Sequence, residues 1–515
     1  MVDEIEGPTE VGYTHGYYSQ QAPGLIDFAV LLSGHRPPDR AGGMSYLELG
    51  YGQGVTANIH AAACPGAYYG TDFIAEHAQN AQALAQASGA DARFLADSFA
   101  DLAKRADLPQ FDYVALHGVW SWVPEADRQA IVALLRERMK PGAVVYVGYN
   151  SQPGWASEMP VRELLMSHAR RVGGDGGRTP QSISAAIDFA RSLAAAGGGY
   201  FGAHPGSVKM LDRIVGQDRR YLAHDYFNRV WTPTYFADLA EQLAAADLRY
   251  AGPARLLQRI DSLQFTPEQG AAIAGIADPI LRETAKDYAT NRAFRTDLFT
   301  RHGERLSEQE QTERLMATRL TLIVRGDEIP LEIEPAVGPV SLDRALYRPV
   351  ILALGANGGS PKSIAELLAR PEVAALPPGA LLEALVVLVG LNQAHPVQSD
   401  EDIAIARPRC EALNQALRDR ARTSADVRFL ASPVIGAGVL VPRFEQLFLT
   451  ARQKGLTKPE EWAREVYATL AANGQSVAKN GRPLSLSAEA IPELTRLAKH
   501  FAVSRLAVLE QLEVA

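Results

Sequence analysis

Three glycines at alternate positions, directly after an apolar run, carry the clearest chemical signal in this chain. They are Gly50, Gly52 and Gly54. The run before them, residues 45–49, has the composition of a β-strand, and a helix-forming run begins at Val55. A strand, a glycine turn and a helix hold a nucleoside at the edge of a doubly wound sheet, because glycines let the backbone approach the ligand. Since Glu48 precedes the turn and the spacing is G-x-G-x-G, the motif indicates S-adenosylmethionine (SAM) more than NAD.

Two further acidic residues are in register with this turn. Asp72 ends a second apolar run about 20 residues after Gly50, where a carboxylate can accept hydrogen bonds from both ribose hydroxyls. Asp97 closes a third run, at residues 92–95, and is placed to accept the exocyclic amine of adenine. Each acid alone fits a helix cap or a solvated loop, but three acids at three strand ends favour a cofactor site. The other candidate cofactor contacts are Tyr51, Phe73, Ser98 and His117.

Methyl transfer from SAM is an in-line displacement at a sulfonium. The site therefore needs alignment of the reacting atoms, an electron-rich wall and an unprotonated nucleophile. His117 ends the fourth apolar run, where it could act as a general base with a pKa suited to neutral pH. The alternative is a histidine that only hydrogen-bonds a neighbouring loop.

Aromatic side chains are candidates for the wall, because aromatic faces stabilise cations. The candidates are Tyr13, Tyr17, Tyr18, Trp120, Trp122, Tyr149 and Trp155. Of these, Tyr17, Tyr18, Trp120 and Tyr149 are preferred, since they adjoin predicted strand ends or the aromatic segment near the N-terminus. The alternative for each is a place in the hydrophobic core.

His224 and Asp225 form a second polar pair, in which a histidine oriented by a carboxylate could assist proton removal. A pair on a helix surface is the alternative. The fourth run is not followed by Asn-Pro-Pro-Tyr, so methylation of exocyclic or amide nitrogens loses support. The sequence also lacks a cluster of metal-ligating residues, which weighs against a magnesium-dependent O-methyltransferase.

Five apolar runs alternate with helix-forming runs over about 100 residues, which predicts a doubly wound parallel α/β sheet. Residues 294–300 are expected to add an antiparallel strand. Later, residues 320–324 and 329–333 alternate on either side of a turn and predict a β-hairpin. Three helices over residues 343–395 then suggest a winged-helix-like module. Since few basic residues lie near its candidate recognition helix, we expect no nucleic acid partner.

The chain is divided at its glycines and at changes of pattern. We expect a SAM-binding core with a doubly wound, Rossmann-like, seven-stranded sheet, interrupted by a helical insertion and followed by a mixed α/β to mainly helical region. The predicted parts are residues 1–155 and 222–303 for the core, 156–221 for the insertion, 304–400 for the hairpin with the winged-helix-like module, and 401–515 for the C-terminal helical domain.

Composition agrees with an intracellular enzyme. The 515 residues carry 51 basic and 59 acidic side chains, a net charge of −8, which gives no general attraction to nucleic acids or anionic membranes. Two cysteines are too few for a disulfide framework or a thiolate metal site. The first residues are acidic and do not resemble a signal peptide. We expect a cytoplasmic protein without a metal.

The motifs of this chain resemble those of class I SAM-dependent methyltransferases. The resemblance is carried by residues 48–54, 69–72, 117–124 and 149–155. Residues 221–227 and 287–299 narrow it to bacterial proteins with a methyltransferase regulatory domain, a group that includes rickettsial lysine methyltransferases acting on outer-membrane protein. The resemblance implies SAM as cofactor and lysine side chains of a protein as acceptors.

Three functional hypotheses follow. The first is a protein-lysine methyltransferase, whose accessory regions could position a polypeptide or form a homodimer. The second is a methyltransferase acting on a small molecule, such as a sugar or a natural-product precursor, in a pocket closed by residues 13–18. The third is a SAM-binding regulatory protein that has lost catalysis.

Overall fold

The computed structural model describes residues 15–40, 42–173, 179–217, 219, 222–223, 226–479, 482–484 and 487–515. Its first half alternates strands with helices. The strands are β1 Ser45–Leu49, β2 Ala67–Thr71, β3 Ala92–Leu95, β4 Phe111–His117, β5 Met139–Asn150, β6 Leu248–Pro253 and β7 Phe294–Arg301. The helices up to β5 are α1 Pro23–Leu32, α2 Val55–Ala63, α3 Ala75–Ser88, α4 Phe99–Lys104 and α5 Glu125–Arg138.

The seven strands form one sheet in the order β3-β2-β1-β4-β5-β7-β6. β7 is antiparallel to both of its neighbours, and the other neighbouring pairs are parallel. This confirms the doubly wound, Rossmann-like sheet that the sequence predicts, including the late antiparallel strand. The carboxyl ends of β1, β2, β4 and β5 therefore meet at one edge of the sheet.

Apolar side chains cover both faces of the sheet, as parallel strands require. Every residue of β1 is buried, and successive side chains point to opposite faces. Tyr46 packs in the cluster that contains Phe28 of α1. Its neighbour Leu47 belongs to the cluster on the other face, with Ile131 of α5. Two-sided burial holds β1 rigidly, and the glycine turn begins where it ends.

Four helices whose bounds the structure describes follow β5 in the chain, before the chain returns to the sheet. They are α6 Met159–Val172, α7 Pro180–Ala195, α8 Gly199–Ala203 and α9 Pro205–Val215. They pack around a core of their own, in which Leu165, Ile187 and Met210 are fully buried or nearly so. The chain returns to the sheet through α10 Phe236–Ala244, and α11 Pro267–Ala274 and α12 Pro279–Thr290 join β6 to β7.

The following region contains short strands and four α-helices. Its elements are α13 Glu308–Ala317, β8 Arg319–Leu322, β9 Glu332–Ile333, β10 Val340–Ser341, α14 Arg344–Gly355, β11 Lys362–Ser363, α15 Ile364–Leu368, α16 Pro378–Gly390 and β12 Ala394–Pro396. β8 is the central strand of a three-stranded antiparallel sheet between β11 and β12.

The predicted hairpin of residues 320–324 with residues 329–333 is wrong. β8 pairs with β11 and β12, which follow much later in the chain, and β9 pairs with β10 instead. Residues 326–328 form a 3₁₀ turn between the two alternating runs. Alternation shows that a strand has one buried face, but it does not show which strand is its partner.

The C-terminal region is mainly helical and packs against helices α2 and α3. Its elements are α17 Asp400–Ala421, β13 Phe429–Ser432, β14 Ala437–Leu440, α18 Arg443–Gln453, α19 Pro459–Ala472, β15 Val477–Lys479, β16 Arg482–Leu484, α20 Ser487–Ser504 and α21 Leu506–Gln511. The side chain of Gln398, just before α17, donates a 2.7 Å hydrogen bond to the carbonyl of Ala63 at the end of α2. None of the described helices is both long and apolar enough to span a bilayer.

A buried charge network joins α12, β7 and β5. Arg295 is fully buried, and its guanidinium donates hydrogen bonds to Asp287 (2.6 Å) and to the Asp297 carboxylate (2.7 and 2.9 Å). The hydroxyl of Tyr149, at the end of β5, donates to Asp297 as well, at 2.8 Å. Arg295 therefore bonds two buried carboxylates, Arg292 contacts Asp287 as a second cation at 3.5 Å, and the network fixes the edge of the sheet near Asn150.

We predict that Arg295→Met lowers the free energy of unfolding by about 3–5 kcal/mol, because it removes the buried cation that bonds both Asp287 and Asp297. Arg249→Met is the control, since Arg249 is exposed on the neighbouring strand β6 and its loss should cost about 0.5 kcal/mol or less. Urea denaturation followed by circular dichroism measures both. Equal losses in the two variants would contradict the structural role given to Arg295.

Candidate cofactor and acceptor site

The chain leaves β1 through a turn of left-handed glycines. The backbone angle φ is +69° at Gly50, +58° at Gly52 and +73° at Gly54. L-residues with a side chain rarely adopt this conformation. At Gly50 a Cβ atom would also lie 2.4 Å from a methyl carbon of Val119. Both the backbone conformation and the lack of space therefore exclude a side chain at this position.

Asp72 fixes this turn from the end of the neighbouring strand. One of its carboxylate oxygens accepts a hydrogen bond from the amide of Gly52 (2.9 Å). The other accepts from the amide of Ile74 (3.1 Å) and lies 3.1 Å from Nδ1 of His77. The carboxylate is almost buried and holds the backbone of the turn in place.

Glu48, in the interior of β1, has a carboxyl group with an unused oxygen. The side chain is 3% exposed, and its Oε2 atom has no hydrogen-bond partner among the described residues. Burial, and then the charge of Asp72, raise the pKa of Glu48 to about 8. A buried acceptor beside a turn shaped by glycines fits a ligand that brings hydrogen-bond donors and positive charge, as SAM does.

Asp97 and Ser98 follow β3 at the same edge of the sheet. Asp97 forms an ion pair with Arg105 (2.8 Å) through one carboxylate oxygen, and both side chains are partly exposed. Ser98 caps α4, since its hydroxyl accepts a hydrogen bond from the amide of Asp101 (3.1 Å). The structure thus places Asp97 at the predicted strand end and gives Ser98 a capping role.

The two aromatic candidates near the turn differ in exposure. Tyr51 is buried, packs edge-on against Phe94 and donates a 2.7 Å hydrogen bond to the carbonyl of Leu95. Phe73 is 46% exposed and directly follows Asp72. Tyr51 therefore ties the turn to β3, while Phe73 offers a free aromatic surface at the strand ends.

His117 lies at the end of β4 among aromatic rings. Its Nδ1 atom shares a 2.8 Å hydrogen bond with the hydroxyl of Tyr146. The rings of Tyr18 and Phe294 lie 4.0 and 5.4 Å from the imidazole, between centroids. Gly148 makes room for the imidazole, because a Cβ there would lie 2.6 Å from Nδ1.

The electrostatic state of His117 differs from the prediction. Burial, and secondarily the positive charge of Arg255, lower its pKa to about 3. The imidazole is therefore neutral at physiological pH and a weak proton acceptor. The expected pKa near neutrality is not found, because the surrounding rings and Arg255 both disfavour the imidazolium.

Tyr18 reaches this site from the segment before α1. Its backbone amide donates a 3.1 Å hydrogen bond to the hydroxyl of Thr56 at the start of α2. Its neighbour Tyr17 turns the other way, with its hydroxyl 3.1 Å from Nε2 of His60. Tyr13, the third tyrosine predicted here, lies outside the described residues.

Two of the predicted wall residues lie in the protein interior. Trp120 and Tyr149 are both fully buried in the cluster on one face of the sheet. The guanidinium of Arg128 lies 5.9 Å from the indole of Trp120. These positions agree with the core alternative for both residues.

The other predicted tryptophans form a cluster between the sheet edge and the helical insertion. The ring of Trp231 lies 5.9 Å from that of Trp122 and 4.8 Å from that of Trp155. The sequence analysis did not single out Trp231. His224 and Asp225, the second predicted polar pair, lie outside the described residues.

Sequence reasoning also missed three residues that complete the site. The hydroxyl of Thr56 accepts the hydrogen bond from the Tyr18 amide, and the hydroxyl of Tyr146 shares one with Nδ1 of His117. Arg255 lies two residues after β6, with its guanidinium 5.8 Å from the ring of Phe294. Arg255 makes no ion pair with a described residue. Only the pairing of strands brings β6 to this edge, so no local pattern could have indicated Arg255.

Two family models match this chain. A methyltransferase domain matches residues 47–142, which include the glycine turn and the ends of β1 to β4. A predicted methyltransferase regulatory domain matches residues 218–301, which include β6 and β7. The two matches together include β2, β3, β4, β6 and β7 in full and most of β1, while most of β5 lies between them.

Relatives with similar sequences are found in two bacterial groups. An uncharacterized protein of Synechocystis sp. is 32% identical over 508 residues, 98% of each chain. An uncharacterized protein of Rickettsia prowazekii is 25% identical over 292 residues, which are 56% of this chain and 51% of the relative.

A similar fold has been solved for PKMT2 from Rickettsia typhi in complex with AdoHcy. The TM-score is 0.68 at 17% identity, over 98% of this chain and 100% of that one. The likeness thus extends over the C-terminal region as well as the sheet. Taken with the glycine turn, the strand order and the two matched domains, these findings show that the chain belongs to the class I SAM-dependent methyltransferases that carry a methyltransferase regulatory domain.

Proposed function

We propose that this methyltransferase transfers the methyl group of SAM to the side-chain amines of lysine residues in proteins. The observation that carries this proposal is the acceptor side of the site, where an uncharged imidazole and the Tyr18 ring lie 4.0 Å apart next to the glycine turn. The resemblance of the sequence motifs to rickettsial lysine methyltransferases supports the same acceptor. The AdoHcy bound to the similar PKMT2 supports the use of SAM.

Three carboxyl groups would hold the cofactor. Asp72 would accept hydrogen bonds from the ribose hydroxyls while keeping its bond to the Gly52 amide. Asp97 would accept the adenine amine through the carboxylate oxygen that Arg105 leaves free. The unpartnered oxygen of Glu48 would face the cationic part of the cofactor. Phe73 would cover one face of the adenine with its exposed ring.

Bound SAM supplies an electrophilic methyl group on a sulfonium. The protein must then present the acceptor amine without its proton. Arg255 disfavours an ammonium group near Phe294, just as it lowers the pKa of His117. Loss of solvent beneath Tyr18 acts in the same direction. The neutral imidazole of His117 is placed to orient the amine, and the proton leaves to solvent before the transfer.

A second candidate function is methylation of a small molecule. The position of Tyr18 favours it, because this ring covers His117 and narrows the access to the site. A small acceptor would fit beneath the ring, whereas a lysine would have to reach in along its extended side chain. The acceptor class must therefore be decided by experiment.

In the deciding experiment, the purified protein and radiolabelled SAM are added to an extract of the source organism from which this gene has been deleted. The fraction that receives the label is then identified. We expect label in large, protease-sensitive material and methyl-lysine after acid hydrolysis. Label confined to the small-molecule fraction would overturn the lysine proposal and support the second candidate.

Asp72→Ala should lower the affinity for SAM by about ten- to a hundredfold, because hydrogen bonds to a charged group contribute about 1.5–3 kcal/mol. Calorimetric titration with SAM measures this. Glu76→Ala is the matched control, since Glu76 is an exposed acid in the first turn of α3 and should leave the affinity unchanged. If the two variants bind SAM equally well, the cofactor is not held at Asp72.

Glu48→Gln should change the pH dependence of stability in the cofactor-free protein. Glu48 has a pKa of about 8 in the fold and of 4.5 in its unperturbed state, so the folded protein keeps a proton that the unfolded chain releases. Stability of the wild type therefore falls as pH rises from 4.5 to 8. Glutamine removes this loss. The stability of Glu48→Gln relative to wild type should rise through that interval and level off above it, as measured by urea denaturation. A difference that does not vary with pH would show that Glu48 is ionised in the fold.

A further inference from the structure

We propose that the C-terminal hairpin formed by β13 and β14 is a positioning element of the active site. It acts through the N-terminal strap, by which we mean residues 15–18. Tyr17 anchors the strap to the hairpin, and this anchorage places the Tyr18 ring over His117. The inference rests on the proposed role of His117 beside the acceptor.

The first anchor is the side chain of Tyr17. Its hydroxyl accepts a 2.5 Å hydrogen bond from the amide of Gly438 in β14. Its ring lies 4.7 Å from that of Phe429 in β13. On its other side the hydroxyl meets His60 of α2. Tyr17 is therefore held between the C-terminal hairpin and the helix that follows the glycine turn.

Gly438 is shaped to receive this ring. A Cβ atom at this position would lie 2.7 Å from the Cζ atom of Tyr17 and 3.0 Å from both neighbouring ring carbons. The backbone at 438 thus packs directly on the aromatic ring, and any side chain there would push the ring away. Position 438 is therefore a glycine for steric reasons, because the Tyr17 ring occupies the space that a side chain would need.

The second anchor joins the strap and the glycine turn through Arg420 of α17. Its guanidinium lies 2.7 Å from Nε2 of His15, and His15 also contacts Asp426 at 3.5 Å. The same guanidinium donates to the side chain of Asn80 (3.4 Å). Asn80 in turn donates to the carbonyl of Gln53, within the turn. The C-terminal region therefore contacts both the strap and the loop predicted to bind SAM.

Tyr17 and Tyr18 transmit this anchorage because the backbone is extended at Tyr18, with φ −120° and ψ 91°. In an extended chain successive side chains point to opposite sides. When Tyr17 points into the hairpin, Tyr18 must point to the sheet edge, where its ring meets His117. A displacement of Tyr17 consequently moves the ring that covers the acceptor side.

The test uses the NMR signal of the His117 imidazole in full-length protein labelled at histidine Cε1, with His117→Gln to assign it. The Tyr18 ring, whose centroid lies 4.0 Å from that of the imidazole, shifts this signal. Tyr18→Leu gives the signal without the ring. We expect Gly438→Ala to move the His117 signal toward its position in Tyr18→Leu. Gly379→Ala, in the same half of the chain and with open space around its Cβ, should leave the signal in place.

Turnover provides the second measurement. Gly438→Ala should reduce kcat by about ten- to a hundredfold, since small misplacements at a reacting centre cost that much. The effect should vanish in a Tyr17→Ala background, because the two residues act through one contact. Tyr17→Phe, which removes only the hydroxyl, tests the anchor if Gly438→Ala folds poorly.

An unmoved His117 signal in Gly438→Ala or, if that variant is unfolded, in Tyr17→Phe would overturn the inference. The inference would also be overturned if Gly438→Ala reduced kcat by the same factor in the Tyr17→Ala background as in the wild-type protein. If the wild-type protein transfers no methyl group to any fraction, the proposed function fails. The NMR comparison still decides whether the hairpin places Tyr18.

Discussion

The hydrogen bond from the Gly52 amide to the Asp72 carboxylate is the interaction on which the site depends. It joins the ends of two adjacent parallel strands, and it is formed only because the backbone after β1 turns through left-handed glycines. Both strands are covered by apolar side chains, so the bond is made at a rigid edge. The position of the turn then sets where α2 begins, and hence the position of Thr56, which holds the strap.

Local sequence was sufficient to predict that the glycine turn and Asp72 lie together. Gly50 and Asp72 lie on consecutive strands of one β-α-β unit, so their spacing in the chain already fixes their proximity in space. The acceptor half could not be predicted in this way. Tyr18, Arg255 and Phe294 reach His117 from three separate parts of the chain, and Arg255 arrives only because β6 joins the sheet beyond β7. The pKa of His117 was misjudged for the same reason, since its value is set by these distant neighbours.

The same limit explains the wrong hairpin. The alternating residues 320–322 do form a strand, but the stabilising partners are residues 362–363 and 394–396. A turn sequence between two alternating runs predicts pairing only when the runs bury their faces together. Here each run pairs with a different strand, and residues 320–322 form the predicted strand with all three side chains buried.

We propose that SAM lies across the ends of β1 and β2, with its sulfur directed toward His117 and Tyr18. The most direct test is a crystal structure with S-adenosylhomocysteine. It should show the ribose hydroxyls bonded to Asp72, the adenine beside Phe73 and Asp97, and the sulfur at the side of Tyr18. A ligand whose ribose makes no hydrogen bond to Asp72, or whose sulfur faces away from His117, would contradict the account.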